Sequence, residues 1–306
     1  MESPASRPGH GLSLSTLVAL VAMPLFFVSN LIIGRDAVGI VPPWSLAFWR
    51  WSLASLMLLP FAGAALYEHR DLLRAQWRSL ALLGFLAMIL CGGLVYVALL
   101  YTTATNATLI YTTSTIMIVV MDAVLARRPL PALQVAGAAA GFLGIAVITL
   151  QGDVQRLLHL SFNIGDLGIM AAAISWAAYS LLLRKGPLTR IGTLPAFTAI
   201  AIVGAVELLP FMLWEVARGA PVPQGLAGWG PILVLAFVPS VLAFGLFQYC
   251  VRVAGASVTA LFLYLLPPYG VILAVVFLGE QLHPYHGVGL ALILGGVVLA
   301  TRPAPG

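Results

Sequence analysis

The chain alternates between long apolar runs and short polar connectors from end to end. A helix needs roughly 20 mostly apolar residues to cross ~30 Å of hydrocarbon. Ten runs meet that length: 14–34, 43–64, 79–101, 105–125, 131–150, 164–184, 193–217, 229–250, 255–278 and 284–301. Barrel strands would alternate over about 10 residues, whereas these runs are continuous, so they predict helices. The longest connector, 65–78, has no room for a soluble catalytic domain. No GxxxxGK[ST] loop is present to couple ATP hydrolysis. The polar stretch 1–13 is followed by a full-length run with no small-residue cleavage site after it. That predicts a cytoplasmic tail and a retained first span, not a signal peptide.

Composition narrows the class. The 306 residues are 61% hydrophobic and 8% charged, with a mean hydropathy of +1.04. A soluble domain is about 25% charged. A cytosolic enzyme, a secreted domain and a disordered regulator are therefore excluded, and an all-α polytopic membrane protein is expected, solvated by the lipid bilayer.

Charge sets an orientation. The net charge of +5 comes from basic residues placed singly between apolar runs, the pattern of cytoplasmic loops and not of a nucleic-acid surface. Eleven Lys and Arg fall on one side, only Arg35, Arg156 and Arg218 on the other, and Arg50 lies inside a run. Both termini are thus predicted in the cytoplasm. Cys91 and Cys250 sit inside apolar runs and are expected as free, packed thiols. No disulfide framework, metal or cofactor is expected.

The two halves resemble each other. Leu59-Pro60-Phe61 recurs 150 residues later as Leu209-Pro210-Phe211. Leu130, Gly137, Gly144 and Thr149 recur at an offset of 152 as Leu282, Gly289, Gly296 and Thr301. A unit of five crossings has an odd number, so its second copy inserts upside down. The expected domains are a first five-helix repeat at 14–150, a periplasmic linker at 151–163, a second repeat at 164–301 and a tail at 302–306. This inverted repeat is a common secondary-transporter plan, with substrate held near the midplane between halves.

Gly165-Asp166-Leu167, Ser175-Trp176-Ala177-Ala178-Tyr179 and Arg184-Lys185 resemble the opening of the second repeat in EamA-type proteins of the drug/metabolite transporter superfamily. Ala260 through Pro267-Pro268, Leu278-Gly279-Glu280, Gly287 and Gly295-Gly296 resemble its end, and Arg50 resembles the family's second-span arginine. Glu280 has no counterpart in the first repeat, where Ala126-Arg127-Arg128 stands instead. The resemblance implies a ten-helix exporter of small metabolites, with spans 1, 3, 4, 6, 8 and 9 around a central cavity. Some members, the YddG-type exporters, carry aromatic and other neutral amino acids.

Polar side chains are costly in hydrocarbon and face the bundle interior. On the helices that the resemblance places around a cavity, the candidate substrate-binding residues are Asn30, Tyr96, Tyr111, Ser114, Trp176, Tyr179, Gln248 and Tyr264. Tyr111 with Ser114 and Thr115, and Trp176 with Tyr179 and Ser180, each share a helix face by i, i+3, i+4 spacing. Two such faces would make an aromatic, hydroxyl-rich pocket without fixed charge, suited to a zwitterion with an apolar side chain. Ordinary packing, backbone-bonded hydroxyls and interhelical amide bonds are the alternatives, and Tyr101 and Tyr249, at run ends, read as interface-belt residues. Pro24, Pro239, Pro267 and Pro268 are candidate gate or hinge positions, with static bends as the alternative.

Arg50 and Glu207 both fall in the outer third of their spans, as a candidate intramembrane ion pair. Arg50 could instead snorkel outward, or bind a substrate carboxylate. Asp122 is expected to pair with Arg127 and Arg128. Gly137, Gly141 and Gly144 share one face, for a contact either within the chain or between subunits.

The expected activity is export of neutral or aromatic amino acids, or of similar metabolites, across the bacterial inner membrane by alternating access. The substrate is a small molecule and a monomer is expected, with ion coupling and oligomeric state left open. Alternatives are a carrier of a drug cation, a nucleotide sugar or a purine, and a membrane-embedded enzyme. The last lacks a motif: His283 and His286 are closely spaced but have no third metal ligand in view.

Overall fold

The computed structural model describes residues 13–127, 129–158, 163–278 and 281–301. The readings that fall on residues 1–12, Arg128, Gly279, Glu280, residues 302–306 and part of the 151–163 connector lie outside them. Span 1 is Leu14–Ala37, span 2 Pro43–Glu68, span 3 Trp77–Ala98, span 4 Ala104–Leu125 and span 5 Ala132–Thr149. Span 6 is Ile164–Leu182, span 7 Thr193–Ala217 and span 8 Gly225–Val253. Span 9 is Ala256–Phe262 continued by Leu266–Leu278, and span 10 is Pro284–Thr301. Among the described residues, spans 2 to 10 are long and apolar enough to cross a membrane, and span 1 carries a shorter apolar stretch, Leu14–Asn30.

Polar side chains and prolines fix where the spans start. Thr103 accepts from Asn106 N at the start of span 4. At span 6, Asn163 Oδ1 accepts from Gly165 N and Asp166 N while Asp166 Oδ2 accepts from Asn163 N, a full capping box. Ser13, 150 residues earlier, caps span 1 through Thr16 N. Span 2 starts on Pro43, whose missing N–H costs nothing in the first turn.

Two spans are not regular α-helices. Span 3 contains a π-helical segment, Phe85–Gly93, and span 8 contains one at Ala236–Ala243, starting 151 residues later. Pro239 lies in the second. It has no N–H to give the Leu235 carbonyl, and Ser240 Oγ donates to that oxygen instead at 2.8 Å. Pro24 lies inside an unbroken helix. In span 9 a 3-10 turn, Leu263–Leu265, interrupts the α-helix just before Pro267 and Pro268, which occupy the first turn of the resumed helix.

Spans 5 and 10 pack against each other along their small residues. A Cβ on Gly137 would stand 2.4 Å from Gly296 O, and one on Gly144 would stand 2.6 Å from Gly289 O. Only hydrogen at these positions lets the backbones touch. This glycine face is therefore filled within the chain and is not left for a second subunit. The contacts are also reciprocal. Gly137 and Gly144 have Gly289 and Gly296 as sequence counterparts, and each touches the other's counterpart. Span 2 packs on span 7 and span 4 on span 6.

Candidate substrate site

Arg50 is the centre of a polar knot joining four spans. Its Nε donates to Ser240 Oγ of span 8 at 2.6 Å. Its Nη1 donates to Asn30 Oδ1 of span 1 at 2.8 Å and to Tyr96 OH of span 3 at 2.7 Å. Tyr96 OH in turn donates to Asn30 Oδ1 at 2.8 Å. The Arg50 guanidinium carbon also stands 5.0 Å from the centre of the Trp51 ring. Local structure aims this group: Ser240 has given its proton to Leu235 O because Pro239 cannot, so its oxygen is free to accept from Arg50.

The expected Arg50–Glu207 pair does not form among the described residues. Glu207 lies where spans 3 and 7 approach: a Cβ on Gly84 would stand 3.0 Å from its Oε2. That buried oxygen has no hydrogen-bond partner among the described residues. Burial of span 2 against three other spans turns Arg50 inward to neutral partners, so it does not snorkel: it is 3% exposed.

An aromatic cluster drawn from both halves of the chain lies beside the knot. Trp176 of span 6 meets Phe247 at 4.5 Å, Phe244 at 5.4 Å and Phe27 of span 1 at 6.0 Å between ring centres. Phe244 also meets Trp51 edge-on at 4.9 Å. The indole nitrogens of Trp51 and Trp176 are buried and have no hydrogen-bond partner among the described residues. An unpaired buried donor is unfavourable.

The remaining predicted residues divide. Tyr179 and Gln248 come together, with Gln248 Nε2 donating to Tyr179 OH at 3.0 Å, and Tyr179 is 5.7 Å from the Trp176 ring. Gln248 also borders a cavity of about 20 Å³ that includes Arg252, room for about one water. Ser114 is buried on span 4, and Tyr111 packs on the same helix toward Ala98 and Ile169. Ser180 bonds its own helix at Trp176 O. Tyr264 is packed onto span 5, where a Cβ on Gly141 would strike its ring.

Polar ties hold both ends of the span 4–span 6 seam. At one end, Asp166 accepts from Thr102 Oγ1 and from Asn106 Nδ2. At the other, Asp122 stands 3.7 Å from Arg184 and accepts from Ser257 Oγ at 2.7 Å. Asp122 thus reaches across to the second half of the chain; Arg128, one of the two partners expected for it, lies outside the described residues.

Ser240, Trp51, Phe27, Phe244 and Phe247 were not singled out from sequence. Pro239 was the available signal for Ser240: a proline inside a span frees a carbonyl that a neighbouring hydroxyl can take.

The model of the EamA-like transporter family matches this chain twice, over residues 14–150 and 163–302. The chain belongs to the EamA-like transporter family. The EamA chain is 27% identical over 291 residues to the uncharacterized transporter YyaM of Bacillus subtilis (strain 168), covering 94% of each protein. It is 30% identical over 274 residues to a protein of Streptantibioticus cattleyicolor named "Probable terminal-alkyne amino-acid exporter", covering 88% of this chain and 86% of that one. A solved crystal structure superimposes with a TM-score of 0.75 at 23% identity, covering 95% of this chain and 97% of the other, which speaks for the fold. The family is one of membrane transporters, so a small-molecule substrate and a bilayer are the setting for the site.

Proposed function

We propose that this EamA-family protein exports neutral and aromatic amino acids, or closely similar metabolites, across the bacterial inner membrane. It works by alternating access between two five-helix repeats of opposite orientation, both termini being cytoplasmic. The reciprocal Gly137–Gly296 and Gly144–Gly289 contacts and the matched π-segments support the repeat reading. The amino-acid exporter among its relatives supports the substrate class.

The observation that carries the reading is the aromatic cluster built from Phe27 and Trp51 of one half and Trp176, Phe244 and Phe247 of the other, which we take to line the substrate enclosure. Its walls are apolar and its unpaired groups are donors, which suits an apolar side chain attached to a carboxylate. A ligand here would touch both halves at once, as alternating access requires. Glu207, the group a cation carrier would need, lies at the span 3–span 7 contact and not in this enclosure.

The experiment is uptake into proteoliposomes of labelled neutral, aromatic, basic and acidic amino acids, with and without a pH gradient, beside Trp176→Ala. Saturable uptake of neutral or aromatic amino acids that Trp176→Ala abolishes is the expected result. No uptake of any amino acid would end this reading and leave the ten-span transporter fold standing.

A further inference from the structure

Arg50 is a buried cation in need of a counter-ion. It is 3% exposed at about 10 Å from the start of span 2, and every group it bonds is neutral: Ser240, Asn30 and Tyr96. No carboxylate lies within ion-pair distance of it among the described residues, where the pairs formed involve other arginines. Its Nη2 donates to no described residue, although Nε and Nη1 are both engaged. Charge at membrane depth is retained where it has work to do, usually with a partner. Here the protein supplies dipoles and a π-face but leaves the negative charge out.

We propose that Arg50 is the receptor for the substrate's carboxylate, which completes a buried ion pair the protein itself leaves open. This rests on the amino-acid reading above and adds to it the residue and the required charge. The unpaired indole N–H groups of Trp51 and Trp176 supply the second requirement, donors beside the enclosure that receives the apolar part. A primary amine of the same size would place a second cation against Arg50 and is rejected.

The same geometry links binding to movement. A carboxylate that draws the guanidinium toward itself competes with Asn30, Tyr96 and Ser240, which tie span 2 to spans 1, 3 and 8. The two irregular spans, 3 and 8, are among those released. Mid-helix π-segments are frequent at functional sites.

The test uses the full-length protein in proteoliposomes and three probes: phenylalanine, 3-phenylpropionate, which lacks the ammonium, and phenethylamine, which lacks the carboxylate. Wild type is expected to take the two carboxylates with kcat/KM about 100-fold above the amine, the scale set by leaving a buried charge unpaired. Arg50→Gln should bring that ratio to about one. Asn30→Asp is the sharper variant, because it keeps the side-chain shape and gives Arg50 an internal carboxylate. It should also erase the preference.

Size-exclusion profiles check that each variant folds, and if Arg50→Gln does not, Asn30→Asp decides alone. A carboxylate preference that survives Asn30→Asp or Arg50→Gln overturns the proposal and leaves Arg50 a structural tie, with the amino-acid reading intact. Uptake of phenylpropionate but not phenylalanine, lost in the variants, would uphold Arg50 and end the amino-acid reading. A wild type that prefers phenethylamine would overturn both.

Discussion

Glu215, near the end of span 7, closes the start of span 2 at Ser45. One carboxylate oxygen accepts from Ser45 N at 2.7 Å and Ser45 Oγ at 2.8 Å, and the other accepts from Trp44 N at 3.0 Å. Span 2 has no capping side chain of its own, since Pro42 precedes it. A carboxylate at a helix N-terminus satisfies free amides and complements the helix dipole. The cap therefore doubles as the tie between spans 2 and 7.

Glu215→Ala removes three hydrogen bonds to a charged acceptor, each worth about 1.5–3 kcal/mol at most, and strands two amides. A net loss of about 3 kcal/mol is expected, read as a clear fall in the thermal unfolding midpoint in detergent. Glu215→Gln keeps an acceptor and should lose about half as much. Equal midpoints for wild type and Glu215→Ala would contradict the capping role.

How much of this was readable beforehand depends on range. Span positions follow from run length alone, and observed ends such as Trp77 and Ala98 lie within a few residues of the expected 79 and 101. The glycine face at Gly137, Gly141 and Gly144 was visible as spacing, but its partner, a helix some 150 residues on, was not. The π-segment of span 3 left no mark, because nothing in Phe85–Gly93 forbids an α-helix. Arg50 was visible as a charge in a span. Its partners come from spans 1, 3 and 8, and only three-dimensional packing selects Asn30, Tyr96 and Ser240 over Glu207. Glu215 sat near a predicted span end and gave no reason to expect it at the start of another helix.

The seam between spans 5 and 10 makes a prediction with a built-in control. At Gly144 an added methyl would meet Gly289 O at 2.6 Å, whereas at Gly295 nothing lies within 4 Å. Gly144→Ala should destabilise by about 1–3 kcal/mol through overpacking. Gly295→Ala should be neutral or slightly stabilising, since alanine favours helix. Unfolding midpoints of the two variants, measured side by side, check the ordering; a reversed order would refute the packing.

The two ties on the span 4–span 6 seam should differ in strength. Asp166 is 3% exposed, while the Asp122–Arg184 pair is open to solvent, with Arg184's side chain 45% exposed. Asp166→Ala removes the charged acceptor shared by Thr102 Oγ1, Asn106 Nδ2 and Asn163 N and is expected to cost about 3 kcal/mol. Arg184→Ala, which removes only the Asp122–Arg184 pair, should cost about 1 kcal/mol or less, as for a partly exposed ion pair. Hydrogen exchange at the two ends of span 4 should show the same inequality. Equal losses would mean that exposure does not set the strength of these ties.

The indole nitrogens of Trp51 and Trp176 separate a binding role from a packing role. A side chain kept for packing lowers stability when trimmed. An N–H that is buried with no partner is already a cost in the folded protein, so removing it is neutral or stabilising. Trp176→Phe keeps an aromatic ring against Phe244 and Phe247 and deletes only the donor and part of the area. The expected result is an unfolding midpoint within about 1 kcal/mol of wild type, with KM for an aromatic amino acid raised about tenfold, the scale of one hydrogen bond. Trp176→Ala, by contrast, should lose about 3–5 kcal/mol of stability as well as transport. If Trp176→Phe transports like wild type, the enclosure binds by shape alone and its free N–H has no ligand. If it loses stability as Trp176→Ala does, the ring is held for packing and the substrate is bound elsewhere.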